Sequence, residues 1–380
     1  MEKLFLDKNR TDLTQPTHKE SDMEFLERYG SKEAEERRQL LNLWFSTYPK
    51  EARVELKSRF DKTFSNALYE LFIYQLFRKQ GFNIQIHPEV PGKTTHPDFL
   101  AIKDNVEIYI EATEASELTQ EEKGIDNKTR TLYDAINKIN APLLFLTIHE
   151  VFFKSKIQPS GKSIVTYFEQ EISKISHEEI AMKFNDGYDN RVKIKYEDEH
   201  VRLVISFFPK PESLLGDKNV RPIAVYADKE FLGVNDPISN SIIKKAKKYG
   251  DLDKPLLVCV NTGNSLGLNS HTVFDIFFGH MAITWSEEPS KRDEKLLRNW
   301  KGVLGKPTKA KLTNASGFLL TGMNLGTIFN PSHWLLKHPF AKNPIDFNTF
   351  SLSFSFVQTN QILTSKLMDI GQVFDIKTVN

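Results

Sequence analysis

Two periods of apolar and polar residues follow one another in the first quarter of the chain. Between residues 64 and 80, apolar side chains recur at intervals of three and four, at Leu68, Leu71, Phe72 and Leu76. This spacing predicts an amphipathic helix, and Gly81 is a suitable residue to end it. Residues 82–87 then alternate apolar and polar side chains, which is typical of a strand.

Two more strands are predicted directly after the first one. They cover residues 98–102 and 106–113, and the turn between them contains Asp104-Asn105, a pair that favours a hairpin. Similar patterns predict helices at 23–48, 50–60, 127–140, 160–175, 239–250 and 271–279, and strands at 142–151, 201–208, 222–226, 255–261 and 317–323. We expect the helix at 127–140 to cross over the sheet, which would make strand 142–151 a parallel neighbour of strand 106–113. The order indicates an α/β domain with a mixed sheet flanked by helices.

Composition narrows the class of protein without indicating its task. The chain has 380 residues, of which 39% are hydrophobic and 28 are Phe, and this excludes a disordered chain. Lys and Arg number 51 against 50 Asp and Glu, so the chain is not uniformly basic, although a local basic groove fits the same total. Cys259 is the single cysteine, which excludes an intramolecular disulfide and a cysteine-based zinc site. Without an apolar leader or a membrane-length apolar stretch, we expect a cytoplasmic protein.

Three acidic residues are candidates for chemistry. Glu70 lies in the predicted amphipathic helix, Asp98 begins the second strand, and Glu111 lies near the end of the third strand. The last two are 13 residues apart with one tight turn between them, which brings both carboxylates to the same end of a sheet. Paired carboxylates bind hard cations such as Mg²⁺, and such an ion activates water for hydrolysis. Structural roles remain open, because Asp after Pro97 suits a turn and Glu70 also suits a solvated helix face.

The segment HPDFLAIKDNVEIYIEAT, preceded by a helix that bears a glutamate, resembles the core of the PD-(D/E)XK, or restriction-endonuclease-like, nuclease superfamily. That pattern consists of Pro-Asp, a hairpin, and Glu-x-Lys on the next strand. The resemblance covers residues 64–151 best. It implies a restriction-endonuclease-like mixed sheet, in which Asp98 and Glu111 hold Mg²⁺ or Mn²⁺ and Glu70 is the acid of the helix.

The family's lysine is missing from its usual position, where this chain has Thr113. A threonine cannot supply the positive charge. The best substitute is Lys245, which lies among the apolar residues of the helix predicted at 239–250, and the spacing from Lys245 to Tyr249 is similar to a Gln-x-x-x-Tyr motif in one branch of the family. The second candidate is Lys128 or Arg130, at the start of the helix that follows Glu111.

These patterns divide the chain into an N-terminal helical region (1–62), a nuclease-like core with an insertion (63–262) and a C-terminal elaboration (263–380). The expected function is a metal-dependent nuclease with a catalytic set of Glu70, Asp98, Glu111 and Lys245. The resemblance suggests DNA before RNA as the substrate and a role in bacterial restriction or antiviral defence. It leaves open a homodimer or a partner subunit. The alternative is a catalytically degenerate fold that binds nucleic acid or a protein, and Thr113 is its main support.

Overall fold

The computed structural model describes residues 3–17, 20–115, 120–186, 190–215, 222–225, 235–263, 268–284, 295–358 and 361–375. The chain forms two compact units. Met1–Asp7, Glu35–Glu117 and Gly233–Asn380 form the first, and Lys8–Ala34 and Leu118–Leu232 form the second. The second unit therefore consists of two segments that are each inserted in the sequence of the first.

The helices of the described residues are α1 (Asp22–Arg28), α2 (Lys32–Thr47), α3 (Lys50–Lys62), α4 (Phe64–Lys79), α5 (Gln120–Ile136), α6 (Gly161–Ile172), α7 (His177–Asn185), α8 (Asn235–Lys247), α9 (Ser270–Phe278) and α10 (Ile370–Val373). The strands are β1 (Asn83–Ile86), β2 (Phe99–Lys103), β3 (Val106–Glu114), β4 (Leu144–Phe153), β5 (Lys193–Glu197), β6 (Val201–Pro209), β7 (Ile223–Val225), β8 (Leu256–Asn261), β9 (Met281–Thr284), β10 (Lys295–Arg298), β11 (Gly305–Lys306), β12 (Lys309–Ala310), β13 (Gly317–Gly322), β14 (Ser332–Lys337), β15 (Phe354–Gln358) and β16 (Gln361–Ser365).

An eight-stranded mixed sheet organises the first unit, in the order β1-β2-β3-β8-β13-β14-β15-β16. The strands β1, β2 and β3 are antiparallel neighbours, which confirms the predicted hairpin. β8 lies parallel to both β3 and β13. All six residues of β8 are buried, as expected for a central strand that is covered on both faces.

Helices cover both faces of this sheet around β2. Phe99 contacts Tyr74 of α4, with ring centroids 6.1 Å apart. The next residue, Leu100, belongs to the apolar cluster that includes Ile242 and Ala246 of α8. Because successive strand residues face opposite sides, α4 and α8 lie on opposite faces of the sheet.

The second unit has its own sheet, in the order β5-β6-β4-β7. The expectation that residues 142–151 pair with strand 106–113 is wrong, because β4 pairs with β6 and β7. β6 likewise belongs to this sheet and does not extend the larger one. Apolar residues on one face of the sheet pack with α5 and α6 in a separate core. The second half of β4 is only partly buried, whereas a strand beside β3 is covered on both faces, as β8 is.

The boundaries of the two structural units differ from those of the three regions predicted from the sequence. The large sheet continues past residue 262 through β13 to β16, so the C-terminal third of the chain supplies half of its strands. The N-terminal 62 residues contribute to both units. The single helix expected at 23–48 is two helices. At the break, Tyr29 forms a β-bridge with Asp12, and the Gly30 N–H donates to the Asp12 carbonyl at 2.8 Å.

A search of the described helices found none with the length and apolar character needed to cross a membrane.

We expect the C-terminal strands to be integral to the stability of the first unit. Leu320 in β13 is fully buried, whereas Leu363 in the edge strand β16 is 39% exposed. Leu320→Ala should lower the free energy of unfolding by about 3 kcal/mol or more, because it leaves a cavity in the core. The matched change Leu363→Ala should cost less than about 1 kcal/mol. Urea unfolding of the two variants measures the difference, and equal effects would contradict an integral β13.

Candidate functional site

The β2–β3 hairpin places two carboxylates side by side. Its register pairs Phe99 with Ile110, and one further step places Asp98 opposite Glu111. The backbone N–H of Ala112 donates a hydrogen bond of 2.7 Å to Oδ2 of Asp98, which holds this aspartate against β3. Directly opposite residues in antiparallel strands have Cβ atoms about 5 Å apart. The two acids therefore share one face of the sheet, the face covered by α8.

Glu111 is fully buried, and three donors surround its carboxylate. Its Oε1 accepts hydrogen bonds from Nζ of Lys245 and Nζ of Lys248, both at 2.8 Å. Its Oε2 accepts a hydrogen bond from the Tyr249 hydroxyl. A buried carboxylate without partners is very costly, so these contacts stabilise its charged form. Burial and the charge of Glu111 also raise the pKa of Tyr249, which keeps the hydroxyl protonated as a donor.

The end of α8 brings both lysines to the same oxygen. The predicted apolar positions Ile242, Ala246 and Tyr249 are buried, and Lys245 projects between them towards Glu111. Lys248 is not among the site residues predicted from the sequence. The helix ends at residue 247, and Lys248 lies in the following turn, where its N–H donates to the Lys245 carbonyl at 3.2 Å. The spacing of three residues from Lys245 was the only signal for this second lysine.

Glu70 is held by two residues that the sequence did not indicate. It is 5% exposed, and its Oε1 accepts hydrogen bonds from the Tyr48 hydroxyl at 2.8 Å and from the Arg59 guanidinium at 2.6 Å. Burial and the neighbouring Glu70 raise the pKa of Tyr48. The Nε atom of Arg59 is buried and has no hydrogen-bond partner. Glu70 is thus an ion-paired, buried group rather than a solvated helix residue.

The charges of the three acids influence one another at Asp98. Burial, which has the largest effect, and the negative charges of Glu111 and Glu70 together raise the pKa of Asp98 to about 7. The Ala112 N–H and the charge of Lys245 act in the opposite direction. Asp98 is therefore the acid whose negative charge is least compensated in this cluster.

The donor set fits a hard divalent cation in part. No group of three or more His, Cys, Asp or Glu side chains that could hold a metal ion is present among the residues that the structure describes. Mg²⁺ does not require such a group, because it keeps several waters and uses one or two carboxylates together with substrate phosphates. Asp98 and Glu111 supply two facing carboxylates, and a cation there would relieve the repulsion that raises the pKa of Asp98. Glu70 is already paired with Arg59 through one oxygen.

The remaining sequence candidates lie elsewhere or lack charge. Thr113 follows Glu111 by two residues on β3 and pairs with Val260 in β8. Lys128 and Arg130 lie on α5 in the second unit, where Nζ of Lys128 donates to the Ser155 carbonyl at 2.8 Å. Lys245 is the lysine candidate that contacts one of the three acids.

Glu114 is a further buried acid at the end of β3, outside the three acids predicted from the sequence. Burial raises its pKa to about 7, against the opposing effect of a hydrogen bond from Asn261. Nδ2 of Asn261 donates to Glu114 at 2.7 Å and to the Met323 carbonyl at 2.8 Å, and its Oδ1 accepts from Thr321. This network ties β3, β8 and β13 together on the face away from α8.

The two raised pKa values predict a pH-dependent stability in metal-free buffer. Folded Asp98 and Glu114 retain protons up to about pH 7, whereas unfolded carboxyls release them near their ordinary values of 3.8 and 4.5. The folded state therefore binds more protons in this window, and stability falls as the pH rises through it. Asp98→Asn should raise the free energy of unfolding by on the order of 1–3 kcal/mol at about pH 8 and have little effect at about pH 5.

Urea unfolding at both pH values measures this effect. Glu114→Gln serves as the companion variant, because it removes the second titrating group and keeps an acceptor for Asn261. A larger gain at the lower pH for Asp98→Asn would contradict the raised pKa.

The chain matches no protein-family model, and comparisons with curated proteins and with solved structures also gave no match.

Proposed function

We propose that this chain is a divalent-metal-dependent nuclease that hydrolyses phosphodiester bonds, with DNA as the first substrate to test. The observation that carries the proposal is the position of Asp98 opposite Glu111, with Lys245 bound to Glu111 from a different element. Two carboxylates and an ammonium are the charged groups that the Pro-Asp, Glu-x-Lys pattern implies. Here the ammonium comes from α8, while Thr113 occupies the usual position on the strand.

The order of elements supports a restriction-endonuclease-like core. The helix α4 is followed by the antiparallel strands β1 to β3, then by α8 and by β8, which lies parallel to β3. The second unit is inserted between β3 and α8, so it separates the lysines from the acids by more than a hundred residues. The acids and the lysines are therefore not part of one continuous sequence motif.

The residues of the site have distinct roles in this proposal. Asp98 and Glu111 would hold Mg²⁺ or Mn²⁺, and the bound ion supplies an activated water and neutralises charge on the phosphate. Lys245 orients Glu111 and presents its ammonium to a phosphate oxygen. Tyr249 fixes the second oxygen of Glu111. Glu70, held by Arg59, adds negative charge beside Asp98 and favours a cation there.

Charge around the acids favours a polyanionic substrate. Lys244 and Lys248 are exposed near the end of α8, and Lys248 contacts Glu111 of the buried acid cluster. Such residues neutralise backbone phosphates and release counterions. The proposal includes a role in bacterial restriction or antiviral defence on the family resemblance alone.

The competing function is a degenerate nuclease fold that binds nucleic acid or a protein without cleavage. The observation in its favour is that both oxygens of Glu111 already have donors, two of them cations. Calorimetric titration with Mg²⁺ or Mn²⁺ separates the two functions. Binding that is lost in Asp98→Asn supports the nuclease, and no binding by the wild type supports the degenerate module.

Cleavage by the purified chain tests the nuclease directly. Single-stranded and double-stranded DNA and RNA are incubated with Mg²⁺ or Mn²⁺, and products are resolved on gels. Asp98→Asn should lower the cleavage rate by about a hundredfold or more, because the cation loses one of its two carboxylate ligands. The fold is expected to remain intact, since an asparagine oxygen still accepts from the Ala112 N–H.

Asp104→Asn is the matched control for this experiment. Asp104 lies in the turn of the same hairpin with a φ of 51°, a backbone conformation that asparagine also tolerates. The control should cleave at the wild-type rate. Unchanged cleavage in Asp98→Asn, or no cleavage of any of the four substrates by the wild type, would refute the proposed activity.

A further inference from the structure

Two ammonium groups share one carboxylate oxygen in this site. Nζ of Lys245 and Nζ of Lys248 both lie 2.8 Å from Oε1 of Glu111. One cation is enough to balance one carboxylate, so the second ammonium is in excess at Glu111 and is repelled by the first. This excess charge is a property of the described contacts and does not depend on any bound ion.

We propose that Lys248 is a displaceable counter-ion, which holds Glu111 until a divalent cation binds and then contacts a phosphate of the nucleic acid. The inference rests on the proposed function and adds a second lysine to it. Cation binding and phosphate binding are thereby coupled, because the arrival of one cation at Glu111 releases another for the substrate.

Exposure distinguishes the lysine that moves from the lysine that stays. The side chain of Lys245 is 19% exposed and lies within α8, whereas that of Lys248 is 36% exposed and lies in the turn after the helix. Nζ of Lys248 also lies 4.8 Å from the centroid of the Tyr249 ring, whose face attracts a cation. Lys248 can therefore leave Glu111 towards solvent while the less exposed Lys245 stays paired with it.

The charges around Glu111 explain why a divalent cation would displace Lys248. Glu70, Asp98 and Glu111 carry three negative charges when ionised, and Arg59, Lys245 and Lys248 carry three positive charges. Adding a divalent cation beside Glu111 brings three cations to one carboxylate. Release of Lys248 removes the most exposed of the three, and its ammonium then meets the anionic substrate at the edge of the site.

The test is the affinity for the metal alone, measured calorimetrically with Mg²⁺ and Mn²⁺ and no nucleic acid. Lys248→Met removes the competing charge and keeps an unbranched side chain, so it should bind metal about fivefold tighter or more than the wild type. Lys247→Met is the matched control, because Lys247 is the neighbouring exposed lysine at the end of α8, and the metal affinity of this variant should be unchanged. Equal or weaker metal binding in Lys248→Met would overturn the inference.

The affinity of Lys248→Met for nucleic acid should change in the opposite direction to its affinity for metal. A duplex oligonucleotide with a phosphorothioate backbone, which resists hydrolysis, is titrated in Mg²⁺ and followed by fluorescence anisotropy. Lys248→Met should weaken binding about fivefold or more, whereas Lys247→Met should show only the small loss expected for one distant phosphate contact. A lysine with a purely structural role would not tighten metal binding while weakening DNA binding.

Failure of this inference can be told apart from failure of the proposed function. If the wild type binds metal and cleaves DNA but Lys248→Met does not tighten metal binding, only the displaceable counter-ion is refuted. If neither the wild type nor Lys248→Met binds a divalent cation, both proposals are refuted. Thermal unfolding of each variant confirms that the measured protein is folded.

Discussion

The buried carboxylate of Glu111 is the constraint around which the first unit is arranged. It lies on β3, in the middle of the mixed sheet, where water cannot stabilise its charge. Two lysines and a tyrosine at the end of α8 provide the missing donors. The cost of an unpaired buried charge therefore fixes α8 against β3, and this contact brings the basic end of the helix to the acids of the hairpin.

The same contact joins parts of the chain that are far apart in sequence. The second unit forms its own sheet and core between β3 and α8, and the chain then returns to add β8 beside β3. A parallel pair tolerates a long connection, because its strands are never joined by a tight turn. The carboxylate and the ammonium that a Glu-x-Lys pattern would hold on one strand come here from two distant segments, because Thr113 stands on the strand and Lys245 on α8.

Sequence patterns predicted the helices and strands better than they predicted which strands pair in a sheet. Turn chemistry and the period of two located the hairpin that carries Asp98 and Glu111, and the apolar stripe of α8 pointed to Lys245. The strand beside β3 was assigned wrongly, because two apolar runs each follow a helix and nothing local distinguishes them. The continuous burial of β8 does so only after folding.

What the sequence determined by itself was local: the hairpin register, the acids at its end, and a lysine on a buried helix stripe, all of which follow from periodicity and turn residues. Tertiary structure alone decided which charges meet. Tyr48 and Arg59 bind Glu70 on α4, and Lys248 joins Lys245 on the same oxygen of Glu111. These pairings depend on long-range packing and on the desolvation of charged groups, and neither has a local signature in the chain.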